Sequence, residues 1–478
     1  MSCDPYILAT LRTPRGRGSA KGALHGIAPV ALVTHLLHAL RDSISAAWAR
    51  ELVGPLHAEG RDERRSRSAA TSPLRIDDFI LGCANPTGEQ AGNIARAALL
   101  LFSSAEPRTR GSDGLGTLEN VPEWIDVLET LENVPGLMVN RYCTSGLDAI
   151  ALAGSRVRAQ DASLVIAGGV ESVSRVAAPA MLGDIGPAAD LIATIESIDR
   201  EACDEYAHAT RMKAKAAPIG ASIIPFGPST TPSIAPMIAP SIASSNAPSI
   251  ESSNASSNAS SNALSTVSGS SSTATLAGDE NVAFQPTMDE LAAMPPLFAG
   301  DAFAEPNARS MAWLRAHGLA AELRHVHTRG NSPSLADAAA LVLVGDGEAA
   351  RRIGLAPRAR IVATASVAAD PVVMLTAGQL AVERVLAKAN VRAADIVVFE
   401  FAEAFAASCV RFMRALDVGH DRFNPNGGTI ARGHAYGATG AALVVDALEE
   451  LERRKGRYAV VGVSGAAGMG AAMLLERV

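Results

Sequence analysis

The chain has 478 residues, with 42 basic and 49 acidic side chains giving a formal charge of −7, 48% hydrophobic residues and 19% charged residues. That length and apolar content suffice for a large core in about two or three units of typical domain size and exclude a wholly disordered chain. An acidic balance without a long basic run excludes nucleic-acid backbone binding as the main role.

The opening MSCDPYILATLRTPRGRG puts a short apolar patch ahead of its arginines, the reverse of a secretory signal. No stretch reaches the roughly eighteen uninterrupted apolar residues of a membrane span, so a cytoplasmic protein is expected. YILATL (6–11) reads as a strand, PVALVTHLLHALRDSI (29–44) as an amphipathic helix and DDFILGCA (77–84) as a strand, an α/β beginning. LMVN (137–140) runs into a turn over Arg141 to Ser145, after which Leu147, Ile150, Ala151, Gly154 and Val157 recur at helical spacing. LVIAGGVES (164–172) is the next buried strand. Later the alternation returns, with ALVLVGD, ARIVATASV, DIVVFE and YAVVGVSG as strands and helices over Leu375 to Ala389 and Ala438 to Arg454.

Between these halves, about Ala217 to Ala277, Ser, Ala, Pro and Thr dominate and SSNA recurs at 244, 252, 256 and 260. Such a segment buries too little apolar area to offset its ordering entropy and reads as a flexible insertion. TLENVP occurs at Thr117 to Pro122 and again at Thr130 to Pro135, which marks a local duplication in a surface loop rather than a solenoid.

Cys3, Cys83, Cys143, Cys203 and Cys409 are odd in number, widely spaced and without a CxxC pair, so neither a disulfide framework nor a zinc site is expected. Cys143 stands where a strand ends and a helix begins, in VNRYCTSGLDAIALAG. Unpaired helix amides there lower a thiol pKa and can bind an oxyanion; a buried structural cysteine is the alternative. His434 lies in NGGTIARGHAYGATG, where glycines let backbone approach a ligand closely, although such loops also bind phosphate or close tight turns. VSGAAGMGAAM, after the last strand pattern, is a second small-residue loop whose amides can line an anion site.

Together these segments resemble the thiolase superfamily: LATLRTPRGRG, VNRYCTSGL, LVIAGGVESVSR, GPAADLIATIESIDREACDEYA, TRGNSPSLADAAALVLVGD, NPNGGTIARGHAYGATG and GAAGMG. The resemblance implies an α/β fold of two similar βαβαβαββ halves in a five-layered αβαβα sandwich with a loop domain. The corresponding division is 1–175, completed by about 320–348, for the first half; 176–319 for the loop domain, with its insertion at about 217–277; and 349–478 for the second half. It further implies Cys143 as the acylated nucleophile, His434 as its activator, coenzyme A and acyl-CoA as substrates, no permanently bound cofactor or metal, and a homodimer or homotetramer.

Several positions depart from the family pattern. Where a second catalytic cysteine usually opens the last glycine loop there is Ser464, which the resemblance makes the third catalytic residue, at a weakened acid/base station, since its hydroxyl is roughly seven pKa units less acidic than a thiol and a poor direct base. In EFAEAFAA, Ala402 replaces the asparagine that holds an oxyanion-hole water, and Ala404 stands where a related branch carries a cysteine. Cys409 is five residues further on. Pro333 replaces a serine used near coenzyme A, flanked by Ser332 and Ser334, and the stretch between Arg175 and Gly186 is short. The expected activity is 3-ketoacyl-CoA cleavage or the reverse Claisen condensation; the alternative is a thiolase-like acyl-CoA binder that cleaves weakly or transfers its acyl group elsewhere.

Overall fold

A computed structural model describes residues 4–53, 75–105, 131–176, 184–227, 275–319 and 322–478. The SSNA repeats and the first TLENVP copy fall outside them. Among the described residues ten strands form: β1 (Tyr6–Arg12), β2 (Gly16–Arg17), β3 (Asp78–Gly82), β4 (Gly136–Val139), β5 (Leu164–Ser172), β6 (Ala336–Gly345), β7 (Ala359–Ala368), β8 (Ile396–Phe401), β9 (Tyr458–Ser464) and β10 (Met469–Arg477). Their order is β4-β3-β5-β6-β1-β7-β10-β9-β8, with β2 on β6.

Burial on both faces explains the unbroken apolar runs. All nine residues of β5 and all ten of β6 are buried, and the two strands pair antiparallel from Leu164↔Gly345 to Ser172↔Asp337. One side of β1, β3, β5 and β6 packs on the helices Pro29–Val53 and Ile94–Ala105. The other side meets the helices Ser145–Ala159 and Tyr436–Arg453, which also cover β8 to β10. The far side of the second half carries the helices Ala377–Ala389 and Ala406–Leu416. Helix, sheet, helix, sheet, helix is the five-layered arrangement, with two helices sealed in the middle.

Those middle helices touch backbone to backbone. A methyl on Gly146 would stand 2.6 Å from the Gly437 carbonyl oxygen, and one on Gly440 2.7 Å from Leu147 Cβ, so glycine sets the distance between the helix after Cys143 and the helix after His434.

Two details add to the expected pair of similar halves. The sheets are joined where β1 meets β7 through Tyr6↔Arg360 and Ile7↔Ala359, so the strands form one continuous ladder. The strand due before the glycine-rich segment shrinks to the single bridge Phe399↔Phe423. Its successor Asn424 substitutes with its side chain: Oδ1 accepts from Phe401 N–H at 2.7 Å and Nδ2 donates to Phe401 O at 3.0 Å. Pro425 and two glycines then prevent a longer strand. The helix Ala304–Ala316, absent from the sequence reading, packs through Leu314 against Val373, Met374 and Leu375.

A buried ion network fastens the periphery to this frame. Asp279 binds Arg12 (2.8 Å), Arg15 (3.0 Å) and Arg432 (2.7 Å), while Asp446 binds Arg12 (2.9 Å) and Arg15 (2.7 Å). Burial alone would raise both carboxyls, but the three guanidiniums outweigh it and hold both well below the usual range. The network joins the end of β1, the Asp279 segment, the turn at Arg432 and the histidine helix. Beside the described flanks of the insertion, Phe226 and Leu276 exchange two backbone hydrogen bonds of 3.0 and 2.8 Å, so its two stems meet.

Removing one carboxylate leaves buried guanidiniums uncompensated. Asp279→Asn is expected to lower unfolding free energy by about 3–5 kcal/mol in urea titration; a loss below about 1 kcal/mol would mean that the network contributes little.

Candidate active site

Cys143 ends the tight turn after β4. Tyr142 before it has φ +51°, and Thr144 closes the turn by donating to the Arg141 carbonyl at 2.8 Å and to Asp148 at 2.6 Å. The chain turns directly into the helix Ser145–Ala159, as the sequence reading expected. The backbone N–H groups of Cys143 itself and of Ala466 in the last glycine loop favour the ionised sulfur.

The thiol nevertheless titrates opposite to expectation. Burial, and then the charge of Glu171, push Cys143 up to about 12, and the two N–H groups only partly offset this. A helix N-terminus lowers a pKa when the sulfur keeps other solvation; this side chain is 2% exposed.

His434 is placed by its backbone. Its N–H donates to Ser334 O at 2.6 Å and its carbonyl accepts from Ala336 N–H at 3.1 Å, tying it to the start of β6. Its Nδ1 lies 2.6 Å from Thr439 Oγ1, one turn into the following helix, and Nε2 has no hydrogen-bond partner among the described residues. Burial, with Arg15 adding to it, lowers the ring to about 4, so it is neutral near pH 7. With the thiol raised to about 12 and the imidazole lowered to about 4, both groups are neutral near pH 7.

Two carboxylates that the sequence reading left unassigned hold these parts together. Glu171, at the buried end of β5, accepts from Ala84 N–H (2.8 Å), Asn85 N–H (3.2 Å), Gln90 Nε2 (2.8 Å) and Gly437 N–H (2.9 Å). It thereby staples the loop after β3 to the first turn of the histidine helix. Glu403 accepts from Tyr206 (2.6 Å), Thr210 (2.7 Å), Asn424 (3.0 Å) and Ile430 N–H (2.8 Å), fixing the loop after β8 to the glycine-rich segment. The available signal was an acidic residue inside an otherwise apolar run: LVIAGGVES and EFAEAFAA.

Ser464 is 1% exposed, and both functions of its hydroxyl are engaged. It donates to Leu375 O at 2.7 Å and accepts from Gly378 N–H at 2.9 Å, holding the start of the helix Ala377–Ala389. Its neighbour Gly465 is the residue that reaches Cys143: a methyl there would stand 3.5 Å from Cys143 N. Ala402 and Ala404 are buried and bring no side-chain donor. Cys409 belongs to a different core, with Phe401 and Phe412; burial and Glu403 raise its thiol well above the ordinary value. Ser334 donates to Ile430 O at 3.1 Å, whereas the buried Ser332 hydroxyl has no partner among the described residues. Cavities of 730 and 240 Å³ are lined by other residues, the first by Arg432, Asp446 and Glu449, the second by Arg309, Val372 and Met374. Among the described residues no group of three or more His, Cys, Asp or Glu can hold a metal, and no helix is long and apolar enough to cross a membrane.

A buried thiol at the head of one middle helix and a neutral histidine just before the other are what this sandwich brings to its middle layer. Residues 127–183 match the thiolase N-terminal domain and residues 355–477 the thiolase C-terminal domain. The chain is 31% identical over 99% of its length to a beta-ketoadipyl-CoA thiolase of Escherichia coli, and 32% identical over 99% to a 3-oxoadipyl-CoA/3-oxo-5,6-dehydrosuberyl-CoA thiolase of Escherichia coli strain K12; each relative is covered completely. A 3-ketoacyl-CoA thiolase of Bacillus subtilis strain 168 is 29% identical, with 99% of each chain covered. The crystal structure of the Bacillus anthracis acetyl-CoA acetyltransferase shares the fold with a TM-score of 0.68 at 22% identity, covering 99% of both chains. The chain belongs to the thiolase superfamily, whose members act on coenzyme A thioesters, and its function is thiolase-type acyl transfer.

The charge state of the site is open to direct measurement. Alkylation of Cys143 by iodoacetamide is expected to accelerate about tenfold per pH unit between pH 7 and 9 without a plateau, because reactive thiolate is scarce throughout. A plateau below about pH 7.5 would reveal a preformed ion pair instead.

Proposed function

We propose that the chain cleaves 3-ketoacyl-CoA with coenzyme A, or runs the reverse Claisen condensation, through a thioester on Cys143. The position of Cys143 at the head of the helix Ser145–Ala159, with the last glycine loop so close that a methyl on Gly465 would stand 3.5 Å from Cys143 N, carries this reading, since backbone N–H groups at such a junction can hold the oxygen of a thioester or tetrahedral intermediate. His434 takes the thiol proton at Nε2 as the sulfur attacks, with Nδ1–H donated to Thr439. Ser464 serves as an anchor for the Leu375 to Gly378 turn and not as the base, since its hydroxyl already donates and accepts. The first half (1–175 with about 320–348) supplies the nucleophile, the second half (349–478) the histidine and the glycine loop, and 176–319 the cover.

We also infer a homodimer or larger assembly. Among the described residues β4 is an edge strand whose four residues are only half-buried, with Leu137, Met138 and Val139 beside a single neighbouring strand, β3.

Purified protein mixed with coenzyme A and either acetoacetyl-CoA, 3-oxoadipyl-CoA or a longer 3-ketoacyl-CoA is expected to consume at least one ketoacyl thioester. The dicarboxylic substrate is included because relatives of comparable similarity are ketoadipyl-CoA thiolases. If none is consumed while Cys143 still acylates, the second reading holds, an acyl-CoA binder or a transferase with another acceptor, which the engaged Ser464 and apolar Ala402 favour. Ser464→Ala separates anchor from base. It is expected to cost about 1–3 kcal/mol of stability through two unmet backbone groups. Cleavage should fall less than about tenfold, against the ~100-fold or greater loss of a removed general base.

A further inference from the structure

Ketoacyl cleavage needs a group that protonates the departing carbon and later deprotonates coenzyme A. The side chains first in line do not offer one. Ser464 is committed to Leu375 and Gly378, Ala402 and Ala404 carry no proton, Cys409 faces another core, and Glu171 already accepts four donors.

Tyr436 remains. It is the aromatic member of the buried cluster that contains Cys143, and its ring centre lies 5.7 Å from that of His434 at 83°, edge to face. Its hydroxyl has no hydrogen-bond partner among the described residues, so it is free for a ligand. The backbone holds it at φ +31°, which side-chain-bearing residues rarely adopt, and the next residue, Gly437, is pinned by Glu171 at 2.9 Å. Burial first, and then the facing Cys143 and Glu171, raise its pKa, so the phenol stays protonated until a proton is demanded of it.

We propose that Tyr436 is a catalytic residue of the ketoacyl-CoA cleavage inferred above, passing its phenolic proton to the carbon that leaves and recovering one from coenzyme A. The proposal rests on that reading. Cys143 sulfur attacks the 3-keto carbon as its proton moves to His434, and the C2–C3 bond breaks with its electron pair on C2. Tyr436 O–H protonates C2, releasing acetyl-CoA and leaving a phenolate. The phenolate takes the thiol proton of the incoming coenzyme A, whose sulfur attacks the Cys143 thioester. The acyl group leaves as acyl-CoA, and Cys143 sulfur regains the proton held on His434.

The test compares wild type with Tyr436→Phe in two reactions: ketoacyl-CoA cleavage, and the burst of p-nitrophenolate from p-nitrophenyl acetate, whose leaving group needs no proton. Cleavage is expected to fall ~100-fold or more while the burst rate stays within about threefold. Retained cleavage overturns the proposal, and so does parallel loss of both reactions, which would make Tyr436 a support for Cys143. A wild type that gives the burst but cleaves no ketoacyl-CoA removes the underlying reading instead, and the proposal with it. Should Tyr436→Phe fail to fold, 3-fluorotyrosine at position 436 keeps the ring and makes the phenol more acidic. The alkaline limb of kcat/KM is then expected to move to lower pH, and an unmoved limb overturns the proposal.

Discussion

The arrangement of the site depends on one buried carboxylate. Glu171 sits at the sealed end of β5 and gathers N–H donors from the loop after β3 and from Gly437 at the head of the histidine helix. Without it, three backbone donors would be buried without an acceptor, at about 1–3 kcal/mol each. The same charge opposes ionisation of Cys143 and of Tyr436. Construction and charge are thus coupled: the group that holds the loop after β3 to the histidine helix also keeps the Cys143 thiol neutral. A neutral pair suits a site that is closed, since a desolvated thiolate would be costly until a substrate carbonyl is present to accept its electrons.

A second constraint acts at longer range. Asp279 follows the Ser-rich insertion, yet its carboxylate is buried among Arg12, Arg15 and Arg432. The insertion is therefore bounded by a residue that the core requires. Next to this network Glu400 is pushed up to about 8 by burial and by Asp446, with one carboxyl oxygen unpartnered, so it adds no further negative charge near neutral pH. Arg15 also faces His434 and helps to keep the ring neutral, which connects the network to the chemistry.

Much of this was legible in the sequence, for identifiable reasons. Strands β5, β6 and β9 are continuous apolar runs, and the helix after Cys143 shows its spacing because one face is buried in the middle layer. The strand-turn-helix position of Cys143 and the glycine-rich setting of His434 follow from local residue types. What remained hidden depends on tertiary context. Acidity at Cys143 is decided by burial and by Glu171, 28 positions away in sequence, and not by the helix start alone. The rotamer of Ser464, turned to Leu375 and Gly378, has no signature in SGAAGMG. The pairing of the Asn424 side chain with Phe401 has no sequence signature because it exchanges side chain for backbone, and the helix at Ala304–Ala316 was missed because only Ser310 and Leu314 are buried along it.

In the proposed reaction acyl groups pass through the sulfur of Cys143, which begins as a neutral thiol. Intact-protein mass spectrometry of enzyme quenched during reaction with a 3-ketoacyl-CoA, with coenzyme A withheld, is the decisive measurement. A mass increase equal to the shortened acyl group is expected, mapping to the peptide that holds Cys143 and absent from Cys143→Ala. An adduct that persists in Cys143→Ala, or cleavage that proceeds in that variant at the wild-type rate, would contradict it.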